Sequence, residues 1–212
     1  MRSFTKIFIT PFLLCFCGLV TPTVLAREIK ILAFGDSLTA GYQLAADAAY
    51  PKQLEKMLNE KKFTVKVVNA GVSGDTSAQG LKRVDWVLKS GPFDIILLCL
   101  GGNDGLRLLP VKDMKKNLEL ILDKFQKTKA QIVFIGMKVP TNSDPKYTKD
   151  FEAVFPGIAK KKKLIFVPFL LEGVAASELL NLDDQIHPNP KGHQIIAENL
   201  MKTILPLVKK LH

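Results

Sequence analysis

The sequence predicts an α/β domain in which a parallel sheet carries helices on both of its faces. Three observations support this fold class. Short apolar runs recur about every 30 residues, amphipathic helical patterns lie between them, and 212 residues suffice for one domain with a buried core. Hydrophobic residues make up 47% of the chain and charged residues 24%, which is usual for a globular protein and argues against disorder.

The apolar runs are predicted to be buried strands, because they are too short for typical helices and are rich in Ile, Val and Phe. They cover residues 29–34, 63–68, 93–100, 132–137 and 164–169. Helical patterns cover residues 50–61, 79–89, 111–127 and, interrupted by a proline and a glycine, 149–163. A last helix is predicted after Asn189, whose side chain can cap it, with Pro190 in its first turn. This alternation is typical of βαβ units, whose strands pair in parallel.

Residues 1–26 are predicted to be a secretory signal peptide. Arg2 and Lys6 form its basic start, an apolar run follows over residues 7–20, and small residues precede the cleavage point. An uncleaved anchor is the alternative, but the apolar run is short for the roughly 20 residues of a membrane span. Cleavage would leave residues 27–212 as one domain, in the periplasm or outside the cell.

Charge and cysteine content narrow the range of functions. The chain carries 30 Lys and Arg against 20 Asp and Glu, a net charge of +10 that falls to +8 without Arg2 and Lys6. This excess suits peripheral contact with an anionic membrane, although a solvated surface is the simpler interpretation. No basic run is interleaved with aromatic residues, so nucleic acid is not an expected partner.

Cys99 is the only cysteine after residue 26, which excludes a disulfide within the domain, and it is expected to be buried.

Four polar clusters lie where a parallel sheet places its sites, beyond the carboxyl ends of the strands. They cover residues 35–39, 69–75, 101–104 and 184–189. Ser37 is the candidate nucleophile, because a serine that opens a helix has backbone N–H groups aimed at it, although capping of that helix is the commoner role. His187 is the candidate base, and Asp184 can reach its second ring nitrogen and fix the tautomer. The spacing alone does not exclude Asp183.

Gly74 and Asn103 are candidate oxyanion donors. A glycine lets its backbone N–H approach a substrate closely, and an asparagine offers a neutral side-chain NH₂. With the Ser37 N–H they would direct three donors at a tetrahedral oxyanion, although both residue types are also common in turns. The remaining acidic residues of the clusters are predicted to brace the loops rather than to catalyse. They are Asp36, Asp75 and Asp104.

Four blocks of the sequence resemble those of the GDSL or SGNH hydrolases. They are Gly35-Asp36-Ser37-Leu38, Gly74, Gly101-x-Asn103-Asp104 and Asp184-x-x-His187. Longer strings around them, such as the one from Gly35 to Tyr42, resemble the bacterial group whose members are called acyl-CoA thioesterase I, lysophospholipase or arylesterase. The resemblance covers essentially the whole chain after residue 26, and four blocks in the right order are highly specific.

The resemblance implies a flavodoxin-like, three-layer α/β/α fold with a five-stranded parallel sheet. The triad that it implies is Ser37, Asp184 and His187. The oxyanion donors that it implies are Ser37, Gly74 and Asn103. This assignment decides against Asp183, and hydrolysis of an ester or thioester would proceed through an acyl-enzyme with no metal or other cofactor.

The expected partner is a small acyl ester or lipid, such as a lysophospholipid or an aryl ester, and the expected state is a monomer. Apolar residues that follow the strands are predicted to bind the acyl chain, with packing of the loops as an equal alternative. They are Leu106, Leu108, Leu109 and Pro140. Leu108 stands where the close group usually has glycine, which leaves the chain-length preference open. His193 is an additional histidine, expected in the first turn of the last helix.

Three other functions fit parts of the sequence. A carbohydrate O-deacetylase is the alternative within the family. A two-metal phosphoesterase needs several His and carboxylate ligands, whereas residues 27–212 contain only His187, His193 and His212 as histidines. A non-catalytic binding protein on the same scaffold would be favoured by a missing triad residue, and none is missing.

Overall fold

Five parallel strands form one sheet in the order β2-β1-β3-β4-β5, which confirms the predicted α/β class and its flavodoxin-like topology. The computed structural model describes residues 1, 27–140 and 144–212, so the predicted signal peptide lies, apart from Met1, outside the described residues. The strands are β1 (Ile29–Gly35), β2 (Val65–Gly71), β3 (Ile95–Cys99), β4 (Gln131–Ile135) and β5 (Ile165–Val167). Every predicted strand is present, with ends that differ by a few residues.

Two helical layers cover the sheet. The helices are α1 (Ser37–Ala40), α2 (Tyr50–Glu60), α3 (Ser77–Leu88), α4 (Gly102–Leu106), α5 (Val111–Gln126), α6 (Pro145–Lys162) and α7 (Pro190–Leu211). Helix α2 packs against α7, while α5 packs against both α3 and α6. The predicted start of the last helix is confirmed, since the Asn189 side chain accepts the Gly192 N–H at 3.1 Å. No helix in the described part of the chain is long and apolar enough to cross a membrane.

Helix α6 differs most from the sequence prediction. It begins at Pro145 because the Asp144 side chain accepts the Tyr147 N–H at 2.7 Å and caps the first turn. It also continues through Pro156, although the sequence predicts an interruption there. A proline inside a helix costs about 3 kcal/mol. Phe151 and Phe155 are fully buried on its inner face, and each contributes about 1.5–3 kcal/mol by burial, which offsets that cost.

The topology places the polar clusters at one edge of the sheet. Strand β1 lies between β2 and β3, so the chain reverses its direction of winding beside the carboxyl end of β1. Such a reversal opens a crevice in which α/β proteins bind ligands. Cys99 ends β3 and is buried, as predicted, and burial raises the pKa of its thiol.

Candidate active site

Ser37 is the first residue of α1 and stands directly beyond the end of β1. The Asp36 side chain caps this short helix by accepting the Leu38 N–H at 3.1 Å, so the N-cap role belongs to Asp36 and leaves the Ser37 hydroxyl free for another partner. Gly35 permits the tight passage from strand to helix, because a Cβ there would lie 2.7 Å from the Cys99 carbonyl oxygen.

The structure brings the three predicted triad residues into one hydrogen-bonded row. Ser37 Oγ lies 2.9 Å from His187 Nε2, and His187 Nδ1 lies 2.6 Å from Asp184 Oδ2. The other oxygen of Asp184 accepts the backbone N–H groups of Ile186 and His187, both at 2.9 Å. Among the described residues, only Asp184 contacts the His187 ring with a carboxylate, and Asp183 does not.

Tyr42 also lies against the base, a contact that the sequence did not predict. Its ring centre is 4.4 Å from that of His187, with the two planes tilted by 38°. Tyr42 follows Gly41, the left-handed residue that ends α1. The same short helix therefore positions both Ser37 and the Tyr42 ring. The only indication of this contact in the sequence is that Tyr42 ends the family-like string Gly35 to Tyr42.

Two of the three predicted oxyanion donors have unpaired backbone N–H groups. Within the described residues, neither the Ser37 N–H nor the Gly74 N–H finds an acceptor. Gly74 has φ +84°, a left-handed conformation that glycine adopts without strain. Asn103 donates through Nδ2 to the Asp75 carbonyl at 2.9 Å, which fixes its amide and leaves one N–H of that NH₂ for a ligand.

The neighbouring acidic residues brace the loops, as predicted. Asp75 accepts Nε of Arg83 at 2.6 Å. Asp104 accepts both the backbone N–H of Ser77, at 2.7 Å, and its hydroxyl, at 2.6 Å. Asp75 thereby joins the loop after β2 to helix α3, and Asp104 joins helix α4 to it. The sequence did not predict the role of Arg83. The only signal was that three acidic residues at adjacent strand ends need a cation nearby.

Asp36 is buried behind the nucleophile. Burial raises the pKa of its carboxyl to about 7, the Leu38 N–H opposes this, and the negative charges of Asp75 and Asp104 add to the increase. The group therefore changes its charge within the neutral pH range.

The four residues predicted to bind the acyl chain follow the polar clusters or strand β4, and three of them are exposed. Leu106 is 46% exposed and Leu108 is 61% exposed, so both present apolar surface to solvent, and Leu108 has a left-handed backbone with φ +50°. Arg107, between them, donates to the Gly74 carbonyl at 3.1 Å and holds this segment against the candidate oxyanion hole. Leu109 is half-buried, and Pro140, after β4, is exposed.

His193 lies in the first turn of α7, as expected, and is buried. Its Nδ1 accepts the Tyr50 N–H at 3.1 Å, and the Tyr50 hydroxyl contacts Thr39 Oγ1 of helix α1 at 3.1 Å. Burial, and secondarily the charge of His187, lower the pKa of His193 to about 4, so it is neutral near pH 7. In the part of the chain that the structure describes, no three His, Cys, Asp or Glu side chains are grouped to hold a metal ion.

Residues 33–195 match the GDSL-like Lipase/Acylhydrolase family, which is well over half of the chain. The chain belongs to this family. Among GDSL relatives, the thioesterase 1/protease 1/lysophospholipase L1 of Escherichia coli (strain K12) is 35% identical over 209 residues, which cover 98% of each chain. The arylesterase of Vibrio mimicus is 36% identical over 169 residues, covering 80% of this chain and 84% of that protein.

A solved structure of a GDSL relative shares both fold and sequence. The psychrotrophic esterase EstA from Pseudoalteromonas sp., inhibited by monoethylphosphonate, superposes with a TM-score of 0.80 at 30% identity, over 85% of this chain and 98% of that one. The predicted family, the fold and the prediction of an ester-hydrolysing enzyme are thereby confirmed.

Proposed function

We propose that this GDSL enzyme is a serine esterase that forms an acyl-enzyme on Ser37 and cleaves the carboxylic ester and thioester bonds of acyl substrates. The observation that carries this proposal is the 2.9 Å contact between Ser37 Oγ and His187 Nε2. This distance lies within the range for a nucleophile and its general base. We further propose lysophospholipids and aryl esters as substrates.

In the first half of the reaction, the Ser37 hydroxyl donates its proton to His187 Nε2 while Oγ attacks the substrate carbonyl carbon. The His187 Nδ1–H donates to Asp184, which selects the productive tautomer and stabilises the imidazolium that forms. The C–O or C–S bond to the leaving group then breaks, and the leaving group departs with the proton from His187. Water repeats the steps on the acyl-enzyme and releases the acid.

The tetrahedral intermediate carries a negative oxygen that needs hydrogen-bond donors. The unpaired N–H groups of Ser37 and Gly74, together with the second N–H of the Asn103 amide, supply three. Each such donor contributes on the order of 10²–10³ to the rate. The donors are held by the backbone and by the Asp75 carbonyl, so they need no rearrangement during the reaction.

The exposed apolar residues support a substrate with an acyl chain or an aromatic group. Leu106 and Leu108 follow Asn103 by three and five residues, and both are exposed, which supports a chain on the reacting carbonyl lying against them. The same apolar surface gives no support to an acetylated carbohydrate, the alternative within the family. Peripheral contact with an anionic membrane, a monomeric state and export to the periplasm or beyond are part of this proposal. Export favours lipid esters over the cytosolic acyl-CoA.

A substrate panel tests this proposal. Wild type is assayed with p-nitrophenyl esters from acetate to dodecanoate, with a lysophospholipid and with an acetylated oligosaccharide, beside Ser37→Ala. Ser90→Ala, at an exposed position just after α3, is the matched control. We expect hydrolysis of the medium-chain esters and the lysophospholipid by wild type and by the control, and none by Ser37→Ala. Turnover of the acetylated sugar alone would contradict the substrate class, and turnover by Ser37→Ala would contradict the mechanism.

A further inference from the structure

Arg83, on helix α3, joins three chain segments at the carboxyl edge of the sheet. Its Nε donates to Asp75 Oδ2 at 2.6 Å, its Nη1 to the Ala70 carbonyl at 2.9 Å and its Nη2 to the Gly35 carbonyl at 2.8 Å. Its Cζ lies 4.1 Å from the centre of the Phe34 ring, so the planar group is held on one face as well as along its edge. The Arg83 side chain is only 18% exposed and that of Asp75 only 8%.

Two of the residues that Arg83 contacts, Gly35 and Asp75, lie beside or bind the three proposed oxyanion donors. Gly35 precedes Ser37 by two residues, and Asp75 follows Gly74 directly. The Asp75 carbonyl also receives the amide of Asn103. Movement of Asp75 would therefore displace the donors of Gly74 and Asn103 together, and movement of Gly35 would displace that of Ser37.

We propose that Arg83 is a positioning residue that holds the three donors of the oxyanion hole in the relative positions needed to bind one oxyanion. This inference rests on the proposed function, since it assigns a role within that site. All three guanidinium nitrogens donate, one to the end of β1, one to the end of β2 and one to the loop after β2. The planar fork of arginine suits this task, whereas the single ammonium of lysine cannot occupy all three positions.

The loss of Arg83 would act on the transition state rather than on substrate binding. Asp75 would become a buried carboxylate without a cation, so the loop that it belongs to would shift. Displacement of catalytic groups by about 1 Å lowers the rate by about 10²-fold. Oxyanion donors bind charge that exists only in the transition state and the tetrahedral intermediate, so KM should change little.

The experiment compares Arg83→Gln and Arg83→Lys with Lys82→Gln, an exposed neighbour on the same helix. Active sites are counted by complete reaction with a fluorophosphonate, and kcat per active site is measured with a p-nitrophenyl ester. We expect kcat to fall about 10²-fold in Arg83→Gln. A fall of about tenfold is expected in Arg83→Lys, which keeps the charge but loses contacts, with KM within about threefold throughout. Lys82→Gln should match wild type.

Wild-type kcat per active site in Arg83→Gln, or a loss confined to KM, would overturn the proposal. A merely structural role would lower the melting temperature and the number of active sites, but not the rate of each site. If Arg83→Gln does not fold, Arg83→Lys supplies the same test, and an unchanged kcat in that variant would overturn the proposal. Ser37→Ala is assayed in parallel, because activity in that variant would refute the proposed function instead.

Discussion

Asp184 contacts His187 through both of its carboxylate oxygens. One oxygen accepts the His187 backbone N–H at 2.9 Å, and the other lies 2.6 Å from Nδ1 of the ring. Partial burial would raise the pKa of Asp184, but the hydrogen bonds from His187 and from the Ile186 N–H outweigh it and lower that pKa. The carboxylate is therefore ionised and already oriented towards the ring when the substrate binds.

Asp184→Asn should lower kcat by about 10³–10⁴-fold, because the amide no longer stabilises the imidazolium and favours the wrong tautomer. The adjacent Asp183→Asn is the matched control and should keep wild-type activity. Steady-state kinetics with p-nitrophenyl butyrate measure both variants. A large loss in Asp183→Asn, with Asp184→Asn active, would reverse the assignment of the triad acid.

Asn103→Ala should lower kcat by about 10²–10³-fold while KM stays nearly constant, because the amide donor acts on the oxyanion and not on the bound ester. Asn199→Ala, at a half-buried position of α7 where the amide likewise donates to a backbone carbonyl, serves as the control. The readout is kcat and KM for the same ester, with thermal melts to confirm folding. If Asn103→Ala changes KM alone, the residue binds substrate and is not an oxyanion donor.

Leu108→Ala should reduce kcat/KM for octanoyl and longer esters by about tenfold and leave acetyl esters unchanged. The exposed leucine would lose roughly half of the 1.5–3 kcal/mol that a fully buried side chain contributes. Leu120→Ala, with a comparable exposed leucine on α5, should show no dependence on chain length. An equal effect of Leu108→Ala on all chain lengths would remove this residue from the acyl site.

Asp36→Asn should stabilise the protein at pH 8. The folded-state pKa of about 7 exceeds the ordinary value of 3.8, so the folded protein binds the proton more tightly than the unfolded chain. This group therefore destabilises the fold by about 4 kcal/mol above pH 7, and the loss is recovered as the pH falls towards 3.8. The amide can still accept the Leu38 N–H.

Urea unfolding at several pH values measures this effect. The stability gained by Asp36→Asn should shrink by about 3 kcal/mol between pH 8 and pH 5. Asp47→Asn, at an exposed position, is the control and should show no such dependence. A gain that grows as the pH falls would show that the carboxyl of Asp36 has a lowered pKa instead.

Most of the fold could be predicted from the sequence, because its strands are short apolar runs, its longer helices have periodic apolar faces and the last helix has a clear cap at Asn189. Helix α4 was missed because five residues are too few to show a periodic pattern. The continuity of α6 through Pro156 depends on tertiary burial of its phenylalanines, which local propensity does not contain.

The candidate site was predictable in part. Parallel pairing predicts that Ser37 and His187 meet at one sheet edge, although 150 positions separate them, and the family spacing separates Asp184 from Asp183. The contacts of Arg83 and Tyr42 were not predictable, because they depend on how α3 and the turn after α1 lie against the strand ends.

Covalent labelling examines the assignment of Ser37 as the nucleophile. Wild type and Ser37→Ala are treated with a fluorophosphonate, digested, and mapped by mass spectrometry. We expect one phosphonyl group per molecule, on the peptide that contains Ser37, with loss of esterase activity in proportion to labelling and no label on the variant. A stoichiometric label on another residue, or full activity after Ser37 is labelled, would contradict it.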